Sequence, residues 1–133
     1  MTVEEKDLLI KDLCSRLPYG VKCKDTNINV TGTLSQIGLH YDMCTLDKDD
    51  GESESCYLLN CKPYLFPLES MTEEQEKELY DKLVELELKA INDEISHIEA
   101  VEFEVDFYNK HHLDWRGLIP MGLAIDATNL NIY

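Results

Sequence analysis

A chain of 133 residues, 44% hydrophobic and 29% charged, is the size of one domain with a core of its own. Its formal net charge of −15 creates a field that repels nucleic-acid phosphates and anionic membranes, so direct nucleic-acid binding is not expected. No window approaches the roughly 20 apolar residues of a membrane span, and "MTVEEKDLLIKDLC" lacks a basic run followed by an apolar one, so a cytoplasmic protein without a membrane partner is expected.

Thr2-x-x-Glu5 is a capping-box pattern, and Leu9, Ile10, Leu13, Cys14 and Leu17 follow at helical spacing. The pattern predicts an amphipathic helix over 3–16, ended by Pro18. From Tyr19 the period changes to two: Tyr19, Val21 and Cys23 alternate with Gly20, Lys22 and Lys24, and Ile28, Val30 and Leu34 continue after a turn at Asp25-Thr26-Asn27. Gly32 and Gly38 are natural places for a bulge or bend. Further runs from Tyr41 to Leu46 and from Cys56 to Asn60, then "KPYLFPL", complete a β part over 19–68. Its short runs and glycine bends suggest a small SH3-like barrel or a curved antiparallel sheet.

The loop "DKDDGESE" does not fit a calcium site. With Asp47 as first ligand the glycine arrives at the fifth position instead of the sixth, and Leu58 stands where a bidentate Glu is required. Asp50-Gly51 reads instead as hairpin chemistry. The five cysteines, Cys14, Cys23, Cys44, Cys56 and Cys61, contain no C-x-x-C pair, and free, mostly buried thiols are expected. Cys56 and Cys61, if on one continuous strand, point to opposite faces, which argues against a metal site shared with His111 and His112. No metal or cofactor is expected.

Ser70-x-x-Glu73 and Thr72-x-x-Gln75 both offer caps for a second helix, predicted over 72–97 and firmest from Thr72 to Asn92. Glu73–Lys77, Glu78–Lys82 and Glu85–Lys89 set the acid four residues before the base, the favoured order. Residues 69–110 hold 14 acids and 4 bases, so two thirds of the charge excess lies there. On a helical wheel Leu79, Leu83, Leu86 and Ala90 form one apolar stripe, and Tyr80, Val84, Leu88, Ile91, Ile95 and Ile98 form another. One stripe docks the helix on its own core. The second packs under a following strand or faces another copy of the protein, and a homodimer with this stripe at the interface is predicted. That strand is predicted at 101–107, where Val101, Phe103, Val105 and Phe107 alternate with acids, opening a strand-and-turn segment over 101–133. The whole reads as one α+β domain.

The stretches "LPYGVKC" (17–23), "KPYLFPLESMTEEQ" (62–75) and "HHLDWRGLIPMGLAID" (111–126) together resemble a family of uncharacterised small proteins of gut bacteria and their phages or integrated elements. The resemblance covers both ends of the chain. It implies a context, that of a mobile-element accessory protein, and no particular chemistry.

The last of these stretches gathers His111, His112, Asp114 and Arg116. A histidine oriented by a carboxylate can act as general base and an arginine can clamp an anion, which makes a small-molecule binder or hydrolase one reading. Against it, adjacent histidines diverge on either a helix or a strand, and no nucleophile motif or glycine-rich phosphate loop accompanies them. The structural reading is a corner: Asp106 caps a short helical stretch that sets Phe107 beside His111 and Tyr108 beside His112, and Asp114-Trp115-Arg116-Gly117 makes a turn. The favoured function is a non-enzymatic protein-binding module contacting a host or phage protein through a barrel groove near Tyr64 and Phe66 and through the acidic helix, with Glu76, Glu87 and Glu94. An acidic nucleic-acid mimic that inhibits a host nuclease or defence complex is the alternative.

Overall fold

The computed structural model describes residues 1–38 and 40–133. Helix α1 spans Val3–Arg16 and starts as its capping box requires: the Glu5 N–H donates to the Thr2 hydroxyl at 3.0 Å and the Thr2 N–H to the Glu5 carboxylate at 3.4 Å. It buries Leu9, Asp12, Leu13 and Arg16 and gives way to a short turn containing Pro18.

Strands β1 (Lys22–Asp25), β2 (Val30–Gly38), β3 (Met43–Asp47) and β4 (Ser53–Tyr57) run as an antiparallel meander. Strand β5 (Cys61–Pro67) returns to pair antiparallel with β1, and two-residue strands β6 (Leu113–Asp114) and β7 (Ile125–Asp126) join β5 in parallel. The order β4-β3-β2-β1-β5-β6 is open, and the expected SH3-like closure is not present among the described residues. The bulge in β2 lies between Leu34 and Gln36, not at either glycine. Gly32 has a different job: a Cβ there would sit 2.9 Å from the Asp47 carbonyl oxygen, so only glycine lets β3 approach. The β3–β4 hairpin turns at Asp50-Gly51, with Gly51 at φ 87° and the Glu52 N–H donating to the Asp50 carboxylate at 2.9 Å.

The parity expected of Cys56 and Cys61 fails because the strand is not continuous. A single 3-10 turn, Leu58–Asn60, resets the alternation, and both thiols enter the same core. That core joins α1, the sheet and the segment around Leu118–Ala124, with Leu9, Leu13, Leu34, Leu46, Leu58 and Leu65 all essentially inaccessible.

Helix α2 spans Glu73–Ile91, and of the two candidate caps it uses Thr72 with Gln75. It stops at Asn92 and Asp93, the latter at φ 58°, short of the predicted boundary at residue 97. The strand predicted at 101–107 is a helix, α3 (His97–Lys110), capped by the Ser96 hydroxyl, which accepts from the Ile98 N–H at 3.2 Å. The alternation of apolar and acidic residues fits period two. Ala100, Phe103 and Phe107 also step by three and four, and this is the face that α3 buries. Packing supplied by α2 decides between the periods, since the two helices form an antiparallel hairpin: His97 meets Glu87 at 3.2 Å at one end and His111 meets Gln75 at 3.4 Å at the other. Between hairpin and sheet lies a second small core of Leu79, Phe107 and Leu113, flanked by Phe66, Leu68, Met71 and Leu83.

Candidate functional site

The histidine segment is built onto the C-terminus of α3. The His111 N–H donates to the Phe107 carbonyl at 3.1 Å, and His112 follows in the left-handed region at φ 57°, donating to the Asn109 carbonyl at 3.2 Å. This is the helix-ending position that favours glycine or asparagine. His112 is held there by a ring stack on Tyr133, with centroids 3.8 Å apart and planes at 11°. The aromatic partner is thus Tyr133, not Tyr108. The Tyr133 hydroxyl in turn donates to the Tyr64 carbonyl at 2.7 Å and accepts from the Lys22 N–H at 2.9 Å, tying the corner to β1 and β5. His111 lies 4.4 Å from the Phe107 ring, as the i,i+4 spacing predicts. The helix that carries it begins at Ser96, however, and not at Asp106.

Asp114 faces away from catalysis in its bonding. Its two carboxylate oxygens accept from the Leu118 and Ile119 N–H groups at 2.7 and 2.9 Å, closing the turn that Gly117 permits at φ 77°. Arg116 lies over the Trp115 ring at 4.2 Å, and Trp115 donates to the Asn109 side chain at 3.0 Å. Beneath them is a buried ion pair from α1: Arg16 Nε donates to Asp12 Oδ2 at 2.8 Å, and Nη2 to the Leu113 carbonyl at 2.6 Å. Arg116 Nε stands 3.9 Å from the other Asp12 oxygen. The Asp12-x3-Arg16 spacing was visible in the sequence, but its burial was not.

Burial dominates the electrostatics. It pushes Asp12 above the usual carboxylate range despite the opposing pull of Arg16. It lowers His111, and it lowers His112 to about 4, helped by Arg16 and by His111 itself. Among the described residues neither histidine hydrogen-bonds a carboxylate, hydroxyl or thiol that could orient it as a general base or that it could activate. The four residues are neighbours, but what they do is fasten α1, α3, β5 and the 114–119 turn to one another.

The surfaces distribute differently. Tyr64 is buried, with its hydroxyl 2.9 Å from that of Thr31, and Phe66 is half-buried against Tyr133. A groove of about 490 Å³ lies on the opposite part of the sheet, between Met1, Lys6, Asp42, Tyr57 and Leu59. Glu76, Glu87 and Glu94 are exposed along the helical hairpin. On α2, Leu79, Leu86 and Ala90 are buried as the first stripe, and the second stripe is left in water. Only Tyr80, Val84, Leu88 and Ile91 of that stripe lie on α2, where they are 39–69% exposed; because the helix stops at Ile91, half-buried Ile95 falls in the connection and Ile98 falls on α3, exposed at 64% with its neighbour Val101 at 59%. Of the two covers expected for this stripe, a strand at 101–107 or a second copy of the protein in a homodimer, the strand does not exist, and α3 packs with Leu79 and Leu83 of the first stripe. Val101 escaped sequence reasoning because a strand assignment placed it on a buried face. No family model, curated protein or solved structure matches the chain.

Proposed function

We propose that the protein is an interaction module whose contact surface is the exposed face of the α2–α3 hairpin, and whose partner is a protein bearing an apolar seam edged with lysine and arginine. The observation that carries this reading is the uncovered stripe of Tyr80, Val84, Leu88 and Ile91 on α2, with Ile98 and Val101 also exposed on α3. Exposed apolar side chains set among charged ones are what a binding site for another protein requires. Covering each is worth on the order of 1.5–3 kcal/mol before ordering costs.

Charge selects the kind of partner. Residues 69–110 carry 14 acids against 4 bases, so two copies meeting through this face would oppose like charges, whereas a basic partner would be drawn to it. The apolar stripe also distinguishes the surface from a nucleic-acid mimic, which needs carboxylates where the aliphatic side chains stand. The resemblance to mobile-element accessory proteins supports a host or phage protein as the occupant.

The test is affinity capture with the wild type and with L88E/I91E, followed by cross-link mapping of whatever is retained. A partner lost from the variant, and cross-linked through an apolar-basic segment, supports the reading. Equal capture by both forms contradicts it. Light scattering at high micromolar concentration decides the competing occupant, a second copy: a dimer that L88E/I91E dissociates would replace the basic partner.

A further inference from the structure

Four of the five cysteines leave the surface together. Cys23, Cys44, Cys56 and Cys61 are all at most 3% exposed and share one core, while Cys14 stays outside it and is exposed. Cys44 on β3 and Cys56 on β4 are directly opposed in the ladder. The 3-10 turn at Leu58–Asn60 then brings Cys61 back to the same side, so that the Sγ atoms of Cys44, Cys56 and Cys61 all lie within 4.8 Å of one another. Cys23 adjoins Cys61 from β1.

Ordinary core packing does not require three thiols from three strands to converge, and a single disulfide would use only two of them. A tetrahedral thiolate site does use them: metal–sulfur bonds of about 2.3 Å set ligand sulfurs about 3.8 Å apart, within reach of these side chains by small rotations. We propose that Cys44, Cys56 and Cys61 form a binding site for a thiophilic d10 cation, zinc(II) foremost, with Cys23 as the candidate fourth ligand. Soft sulfur donors without carboxylate or imidazole in the set select for this class over magnesium or calcium.

Cys44, Cys56 and Cys61 are each pushed towards the neutral thiol. Cys44 pushes Cys56 up to about 12, with burial adding to it. Cys44 itself is lowered by Cys56 but raised more by Cys61 and burial, to about 12, and Cys61 is raised chiefly by Cys23. Coordination therefore replaces each ligating S–H bond by an S–metal bond and releases one proton per thiolate formed. Because these cysteines are at most 3% exposed, the ion would enter before the core closes during folding.

The experiment refolds the full chain under reducing conditions with zinc(II) or cobalt(II) and follows it by native mass spectrometry and visible absorption. One ion per chain, the intense bands of cobalt(II) bound to thiolates, proton release on loading and a raised Tm are expected. Cys56→Ala, an exchange of one small buried group for another, should weaken binding by more than about a hundredfold, beyond what losing an outer-shell partner costs. Cys14→Ala should bind like the wild type. The site is refuted by a wild-type chain that folds identically and retains no ion at excess metal, or by binding that Cys56→Ala leaves intact. Both readouts in the wild type hold even if Cys56→Ala proves unstable.

Discussion

Single residues in the corner between α1 and α3 carry unusual strain and unusual burial. Arg16 is wholly inaccessible, and its charge is answered by Asp12 and the Leu113 carbonyl. Removing one member strands the other: Asp12→Ala should cost about 3–5 kcal/mol in denaturant unfolding, whereas an apolar replacement of both Asp12 and Arg16 should recover much of it. His112 makes a different prediction, about pH. Its folded value of about 4 lies below the ordinary 6.5. Between those two values the unfolded chain binds the proton and the folded chain does not, so this residue's contribution is retained above 6.5 and lost as pH falls towards 4. Discounted for partial exposure, the loss is on the order of 2 kcal/mol. His112→Asn keeps a residue suited to the left-handed position and removes the titration. Unfolding free energies measured across this window should fall less steeply for the variant than for the wild type. Identical slopes would show that the ring is solvated at low pH without unfolding.

At the scale of elements, α2 has two apolar stripes with opposite roles. Leu86→Ala, on the docked stripe, should destabilise by about 2–5 kcal/mol. L88E/I91E, on the stripe left in water, should leave the Tm within a few degrees of wild type, because both side chains are more than half exposed and little packing is lost. Paired thermal melts check both. How much of this was legible in the sequence depends on the residue. Thr2 with Glu5 and Thr72 with Gln75 announced their helices because capping is local chemistry. So did the Asp50-Gly51 hairpin. Val101 to Phe107 was misread because its apolar residues satisfy two periods, and only contact with α2 chooses between them. The three-residue turn after Tyr57 was equally silent, and with it the convergence of Cys44, Cys56 and Cys61. Of the corner, Phe107 beside His111 was readable from i,i+4 spacing, while His112 against Tyr133 joins residues that only the fold brings together.

For the whole molecule, the sheet and α1 form one core and the hairpin forms a second, smaller one, joined through Phe66, Leu113 and the corner. Among the described residues no helix is long and apolar enough to cross a membrane, so the apolar stripe on the hairpin is a surface feature and not a spanning segment. The exposed stripe on α2 and the local charge are what support the central proposal, that the exposed surface of the hairpin receives an apolar, basic partner. The most direct measurement is a backbone NMR titration with a synthetic amphipathic helix of leucine and lysine as probe. The account predicts saturable shifts centred on Tyr80, Val84, Leu88, Ile91, Ile98 and Val101, weakened by salt and absent in L88E/I91E. Shifts centred on the groove at Tyr57 and Leu59, or none at all, would contradict it.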